Sequence, residues 1–243
     1  MDSLETFREI NENYNLIVDR AKIASEKAKR NFDDIKIIAV SKTHPAKIVE
    51  IAYNTGIRVF GENYVQEFID KHEIIADKGL VDLEWHYIGH LQTNKVKYIA
   101  PFVNMIHSVD SVKLAAEIDK RAALAERNID ILIQLNTSSE PNKSGCDTEQ
   151  YIEIAGEIDE FENITIKGLM TIGTFTDDER IQRAEFSLLR NSLEEANRQL
   201  GKKWTQLSMG MTGDFEIAID EGATMVRIGT AIFGNRIYKN FGQ

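Results

Sequence analysis

The chain has 243 residues, 42% hydrophobic and 28% charged, and its 29 lysines and arginines against 39 aspartates and glutamates leave a formal net charge of −10. That length accommodates one large α/β domain or two small ones, and only three prolines argue against long disordered linkers. The acidic balance argues against nucleic acid as a partner, because sequence-independent binding needs a basic surface, and no run approaches the ~18 apolar residues of a membrane-spanning helix.

Residues 1–30 alternate charge with isolated apolar positions and lack the continuous apolar stretch of a secretory signal, so a cytoplasmic protein is expected. Within them Leu4, Phe7, Tyr14, Ile17, Ala21, Ala24 and Ala28 recur at three, four or seven positions. This spacing predicts a helix with one apolar stripe, packed on the body of the protein. Residues 35–40, Ile-Lys-Ile-Ile-Ala-Val, then form a β-branched run without strict alternation, as expected of a strand buried on both faces. Similar runs follow at 57–60, 85–88, 103–107, 129–135, 164–170, 205–207 and 223–228, eight with the first. Stretches of helical spacing lie between them at 45–54, 63–77, 93–100, 111–127, 148–161, 177–200 and 214–220. Boundary residues agree: Pro45 suits a first helical turn, Gly56 and Gly201 follow helix ends, and Asp110 or Ser111 can cap. Strictly alternating strands and helices fit a closed parallel barrel, and an open doubly wound sheet uses the same alternation.

In a barrel, chemistry collects at the carboxyl ends of the strands. The first strand ends in Val40-Ser41-Lys42-Thr43-His44-Pro45. If Lys42 is buried there, desolvation lowers its pKa and yields a neutral amine able to attack an aldehyde; if it has left the strand, it is a solvated loop lysine. Residues 208–214, Ser-Met-Gly-Met-Thr-Gly-Asp, are expected as a loop after strand seven, and Arg227-Ile228-Gly229-Thr230 ends strand eight. Glycines, the hydroxyls of Ser208 and Thr230 and helix starts suit a phosphate, although such segments also make ordinary turns. His86 and His90 are four apart but lack the acidic second residue of a zinc-protease motif and span a strand end, so no metal is expected. His44, His72 and His107 form no sequence cluster and are expected in structural or solvated roles. Cys146, the single cysteine, has no activating neighbour in sequence and is expected to be inert.

Five ordered blocks carry a family resemblance: Ile38-Ala39-Val40-Ser41-Lys42, Phe60-Gly61-Glu62-Asn63-Tyr64-Val65-Gln66-Glu67, the stretch from Trp85 to Lys95 (Trp-His-Tyr-Ile-Gly-His-Leu-Gln-Thr-Asn-Lys), Ser208-Met209-Gly210-Met211, and Val226-Arg227-Ile228-Gly229-Thr230. The chain resembles the pyridoxal-phosphate homeostasis proteins from its first strand to Arg236. The resemblance implies a single (β/α)₈ TIM barrel over residues 1–243 with an additional N-terminal helix, similar to the amino-terminal domain of alanine racemase and of fold type III among proteins that bind pyridoxal 5′-phosphate. It further implies that Lys42 carries the cofactor as a Schiff base and that Ser208, Gly210, Gly229 and Thr230 hold its phosphate. Arg227 would face the pyridine nitrogen, with Asn63 and His90 bordering the ring. A guanidinium there opposes protonation of the ring nitrogen and leaves a weak electron sink.

Alanine racemase also draws a second base from a carboxyl-terminal domain, for which no counterpart is read before Gln243. The resemblance therefore implies cofactor homeostasis and delivery to apo-enzymes, without turnover and as a monomer or weak dimer. The alternative is a pyridoxal-phosphate-dependent amino-acid racemase with His90 as second base. A third reading, a phosphate-ligand barrel with no Schiff base, fits the bare strand pattern. Residues 136–145 resemble the family's loop after strand five, where Lys143 is either a second contact or a solvated lysine.

Overall fold

The computed structural model describes residues 3–138 and 144–234. It opens with α1 (Ser3–Lys27), whose buried face is Ile10, Ile17, Ala21 and Ala24. Phe7 and Tyr14 pack partly against the core, but Leu4 is exposed and Ile10 takes its place in the stripe.

Among the described residues eight parallel strands follow: β1 (Lys36–Val40), β2 (Val59–Glu62), β3 (Glu84–Tyr87), β4 (Met105–Val109), β5 (Ile129–Gln134), β6 (Ile164–Met170), β7 (Gln206–Met211) and β8 (Met225–Ile228). Each pairs with the next, and β8 returns to pair with β1, so the sheet is a closed barrel and the open doubly wound arrangement is excluded. Parallel neighbours require crossovers. These are supplied by α2 (Ala46–Asn54), α3 (Val65–Asp77), α4 (Val96–Ile99), α5 (Val112–Leu124), α6 (Tyr151–Ile158), α7 (Glu179–Leu200) and α8 (Phe215–Asp220), while α9 (Thr230–Phe233) follows β8. The expected helix at 93–100 is a 3₁₀ turn, Thr93–Lys95, that runs into the single turn of α4.

Local chemistry sets several ends. The Asp178 carboxylate accepts from the Arg180 amide at the start of α7, Ser111 caps α5 through the Leu114 amide, and Gly201 stops α7 at φ 65°. The largest departure from the sequence reading is β7. Residues 208–211, expected as loop, are strand: Ser208 pairs with Met170 of β6 and Met225 of β8, and after a register shift around Gly210 Met211 pairs with Arg227.

Most of the core lies between the sheet and the helices. A separate small cluster, Ile38, Met105, Leu132, Met170 and Met225, comes from five different strands and fills part of the barrel interior. Helix α1 packs on α2, α8 and α9 across the β8–β1 closure. Asn13 donates to the Ile232 carbonyl at 3.1 Å, Arg20 to Glu216 at 2.7 Å, and Arg30 to the carbonyls of Ile219 and Ala223 at 2.8 and 2.7 Å. The N-terminal helix thereby steadies the two short helices beside the last strands. No described helix is long and apolar enough to cross a membrane.

The β6–β7 pairing leaves no room for a side chain at Gly168, where a Cβ would lie 1.9 Å from the Gln206 carbonyl oxygen. That oxygen is backbone and cannot yield without opening the barrel. Gly168→Ala is expected to cost more than about 3 kcal/mol of unfolding free energy in urea titrations, and a cost within about 0.5 kcal/mol would contradict this packing.

Candidate functional site

The carboxyl rim is organised around the β8–β1–β2 seam. Ile38 pairs with Arg227 and Val40 with Gly61. A Cβ built on Gly229 would sit 3.4 Å from the Val40 carbonyl oxygen, so Gly229 lies against the end of β1. Lys42 stands two residues past β1 in a tight turn and is half-buried, between the two situations its sequence position allowed.

The turn that carries Lys42 is clamped from below by a buried charge cluster. The Lys71 ammonium, on α3, donates to the Ser41 carbonyl at 2.7 Å and to the carboxylates of Glu62 and Glu67, both at 2.6 Å. Ser41 donates its hydroxyl to Glu62 at 2.6 Å, and the Thr43 amide donates to Glu67 at 2.6 Å. Both neighbours of Lys42 are thus tied to one cluster. Thr43 adopts φ 68°, a left-handed value that costs a β-branched residue roughly 1–2 kcal/mol and that the Glu67 contact helps to hold. Two effects compete at Glu62. Lys71 and Ser41 favour its carboxylate, but burial outweighs them and pushes it up to about 7.

On the β2–β3 side, Asn63 and His90 meet at one cavity of about 460 Å³, lined also by Tyr64, Gln66, Tyr87 and Lys95. The Tyr87 hydroxyl lies 2.9 Å from the Asn63 carbonyl and 3.1 Å from that of His90, sharing its hydrogen between the two loops. Burial pushes the phenol up to about 12, so it acts as a donor. Gly89 permits the close approach, since a Cβ there would fall 2.2 Å from the Asn63 carbonyl oxygen. The Asn63 side-chain oxygen is buried and makes no hydrogen bond.

On the β7–β8 side, Arg227 is buried inside the barrel and donates to the Ser208 hydroxyl and to the Thr171 carbonyl, both at 2.8 Å. Burial lowers it to about 10 against the attraction of Asp214, so it remains charged at neutral pH. Ser208 is wholly buried and its hydroxyl also meets His107 Nδ1 at 2.9 Å. Gly210, at φ 87°, fits because α8 presses on it: a Cβ would lie 2.5 Å from that of Ala218. Thr230 opens α9 with its hydroxyl 3.5 Å from that of Thr212, which brings the loops after β7 and β8 together.

Several groups escape a reading of the sequence. Glu62 ends β2 whereas Glu67 and Lys71 lie on α3, and His86 and His107 lie on different strands. The inward-pointing polar positions of β3 and β4 were the available signal. Cys146 is buried, donates to the Gln134 carbonyl at 3.1 Å and has its thiol pushed up to about 12, which leaves no thiolate for chemistry. Lys143 lies outside the described residues.

Comparison with known proteins places this geometry. The profile of the alanine racemase N-terminal domain matches residues 14–236. The pyridoxal phosphate homeostasis protein of Aquifex aeolicus is 43% identical over 222 residues, 91% of this chain and 96% of that one. PipY of Synechococcus elongatus, solved with pyridoxal phosphate bound, is 36% identical with a TM-score of 0.79, over 90% of this chain and 100% of the other. An alanine racemase of Clostridium difficile, 14% identical with a TM-score of 0.75 over 96% of this chain and 58% of that chain, shares the barrel fold.

Two measurements test the clamp. Because Glu62 keeps its proton up to about pH 7 in the folded protein, against 4.5 as its ordinary value, the native state binds more protons across that window. Its contribution is therefore most favourable below about pH 4.5 and is lost as pH rises to about 7. Glu62→Gln should remove this slope, on the order of 3 kcal/mol, from the difference between variant and parent urea stabilities at the two ends of the window. Lys71→Met removes the group that favours the Glu62 carboxylate, so Glu62 takes up a proton at neutral pH while the Ser41 carbonyl and Glu67 lose their donor; a loss of about 1–3 kcal/mol is expected at neutral pH, with a smaller loss in acid.

Proposed function

The chain belongs to the pyridoxal phosphate homeostasis proteins, within the family of the alanine racemase N-terminal domain, and from that premise we propose that it binds pyridoxal 5′-phosphate as a Schiff base on Lys42 and delivers it to apo-enzymes without turnover. The observation that carries this reading is the seam. It brings the turn after β1 that carries Lys42 beside the strand that carries the buried Arg227, with β8 leading directly into Gly229 and Thr230.

The residues present fit the cofactor. The Asn63 side-chain oxygen is buried without a partner and would accept from a donor on the ligand, and Lys42 stands half-buried at the same rim. When bound, the group supplies a carbonyl and a conjugated ring; the chain supplies everything else. Lys42 offers its amine from a turn that Lys71, Glu62 and Glu67 keep in place. Asn63 and His90 border the ring. Gly229 and Thr230, with Gly210 holding β7 against α8, form the phosphate end, where Thr212 stands opposite Thr230. The hydroxyl of Ser208 is already committed to Arg227 and His107, so its part in this reading is to hold Arg227 rather than to grip the anion from the loop.

Arg227 also bears on turnover. A charged donor aimed at a ring nitrogen keeps that nitrogen unprotonated and the ring a poor electron sink, which suits a carrier. The relatives' names, homeostasis proteins rather than enzymes, support the same view.

The purified protein is expected to show a visible absorbance band that borohydride bleaches, with the reduced label on the Lys42 peptide and no band in Lys42→Ala. Holoprotein should restore activity to an apo-enzyme in the presence of a trap for free cofactor. A label on another lysine would overturn the Schiff-base assignment, and failure to reactivate would overturn delivery. Solvent deuterium entering the α-carbon of any amino acid would overturn the absence of turnover.

A further inference from the structure

Below Arg227 the barrel interior carries a continuous polar line that the binding reading does not use. Ser208 Oγ meets His107 Nδ1 at 2.9 Å, and His107 Nε2 meets His86 Nδ1 at 2.8 Å. His86 Nε2 faces the Glu84 carboxylate at 3.7 Å, and Glu84 pairs with Lys36 at 2.5 Å. Ser208, His107, His86 and Arg227 are all buried, whereas Glu84 and Lys36, at the amino ends of β3 and β1, are partly exposed at the opposite rim. The line thus joins the two faces of the barrel through its middle.

Hydrogen-bond accounting gives the line a direction. Arg227 has only donors, so Ser208 accepts from it and can pass its own hydrogen to His107 Nδ1. His107 then carries its proton on Nε2 and donates to His86 Nδ1, and His86 in turn carries its proton on Nε2, pointing at Glu84. The reverse orientation would aim an imidazole lone pair at a carboxylate. Burial keeps both imidazoles neutral, and His86 with Lys36 holds Glu84 down at about 2, so the anchor is an anion throughout the physiological range. At 3.7 Å the last contact is longer than a direct hydrogen bond, and it acts as an electrostatic preference that orients the chain. Aligned bonds of this kind polarise one another in a low-dielectric interior.

We propose that His107 and His86 are positioning residues, locked as Nε2–H tautomers by Glu84, and that this one-directional relay fixes Ser208 and Arg227 so that the anionic anchor at the amino rim governs how firmly a ligand is held at the carboxyl rim. The inference rests on Arg227 facing the bound cofactor.

The relay is tested first on the ¹⁵N-labelled apoprotein, where long-range imidazole spectra should show His86 and His107 both protonated on Nε2. Protonation of either on Nδ1 overturns the proposal. Glu84→Gln, a change at a partly exposed site remote from the cofactor residues, should release the lock and give mixed tautomers. In the holoprotein it should speed cofactor release roughly two- to tenfold, the size of one net hydrogen bond. Asp82→Asn, which removes an exposed carboxylate paired with Arg58 just before β3 and outside the line, should leave both readouts unchanged. No effect of Glu84→Gln, or an equal effect of Asp82→Asn, overturns the relay. If wild-type protein takes up no cofactor, the binding reading fails, while the apoprotein spectra still judge the tautomer lock.

Discussion

The structure depends on one pairing, β8 against β1. A parallel sheet that closes must bring its last strand beside its first, and here that closure sets Arg227 across from Ile38 and Gly229 against Val40. Residues nearly two hundred positions apart become rim neighbours. Helix α1 lies outside this closure and bonds to α8 and α9, so the helix furthest from them in sequence steadies the loops that complete the seam.

Charge is buried on both sides of the seam, and the two cases differ physically. Beside Lys42 the ammonium of Lys71 is satisfied by three acceptors, yet Glu62 retains a buried oxygen without a partner. Buried ion clusters as a class are weak sources of net stability, because desolvation offsets the attraction between the charges. What the ions supply is geometry, since they tie down both residues flanking Lys42 and sustain the left-handed Thr43. Arg227 has no carboxylate in direct contact among its described hydrogen bonds; its donors end on a hydroxyl and a carbonyl. It keeps its charge because a guanidinium is so basic that even full burial leaves it protonated at neutral pH.

The interior of the barrel divides accordingly. An apolar floor of isoleucine, leucine and methionines fills one part, and a line of polar groups runs beside it from rim to rim. A wholly apolar filling would pack as well, but it would leave Ser208 and Arg227 without fixed partners. The unpartnered Asn63 oxygen is the counterpart on the cavity side, a buried acceptor whose desolvation is uncompensated until something donates to it.

Alternation of apolar runs with helical stretches was enough to read eight strands and their crossovers, because burial on both faces of a parallel strand imposes a local composition. The motif at Val40-Ser41-Lys42 and the glycines of the last two strands were equally legible, each being contiguous in the chain. Closure was not, since the same alternation serves an open sheet and only the β8–β1 pairing decides. Nor was the extent of β7, where a serine and a glycine look like loop until the partner strands are present. The clamp of Lys71, Glu62 and Glu67 and the meeting of His86 with His107 belong to tertiary structure alone. Their partners lie on separate elements, and a hydrogen bond of 2.6–2.9 Å is set by how strands register around a barrel, which no local pattern of residues encodes.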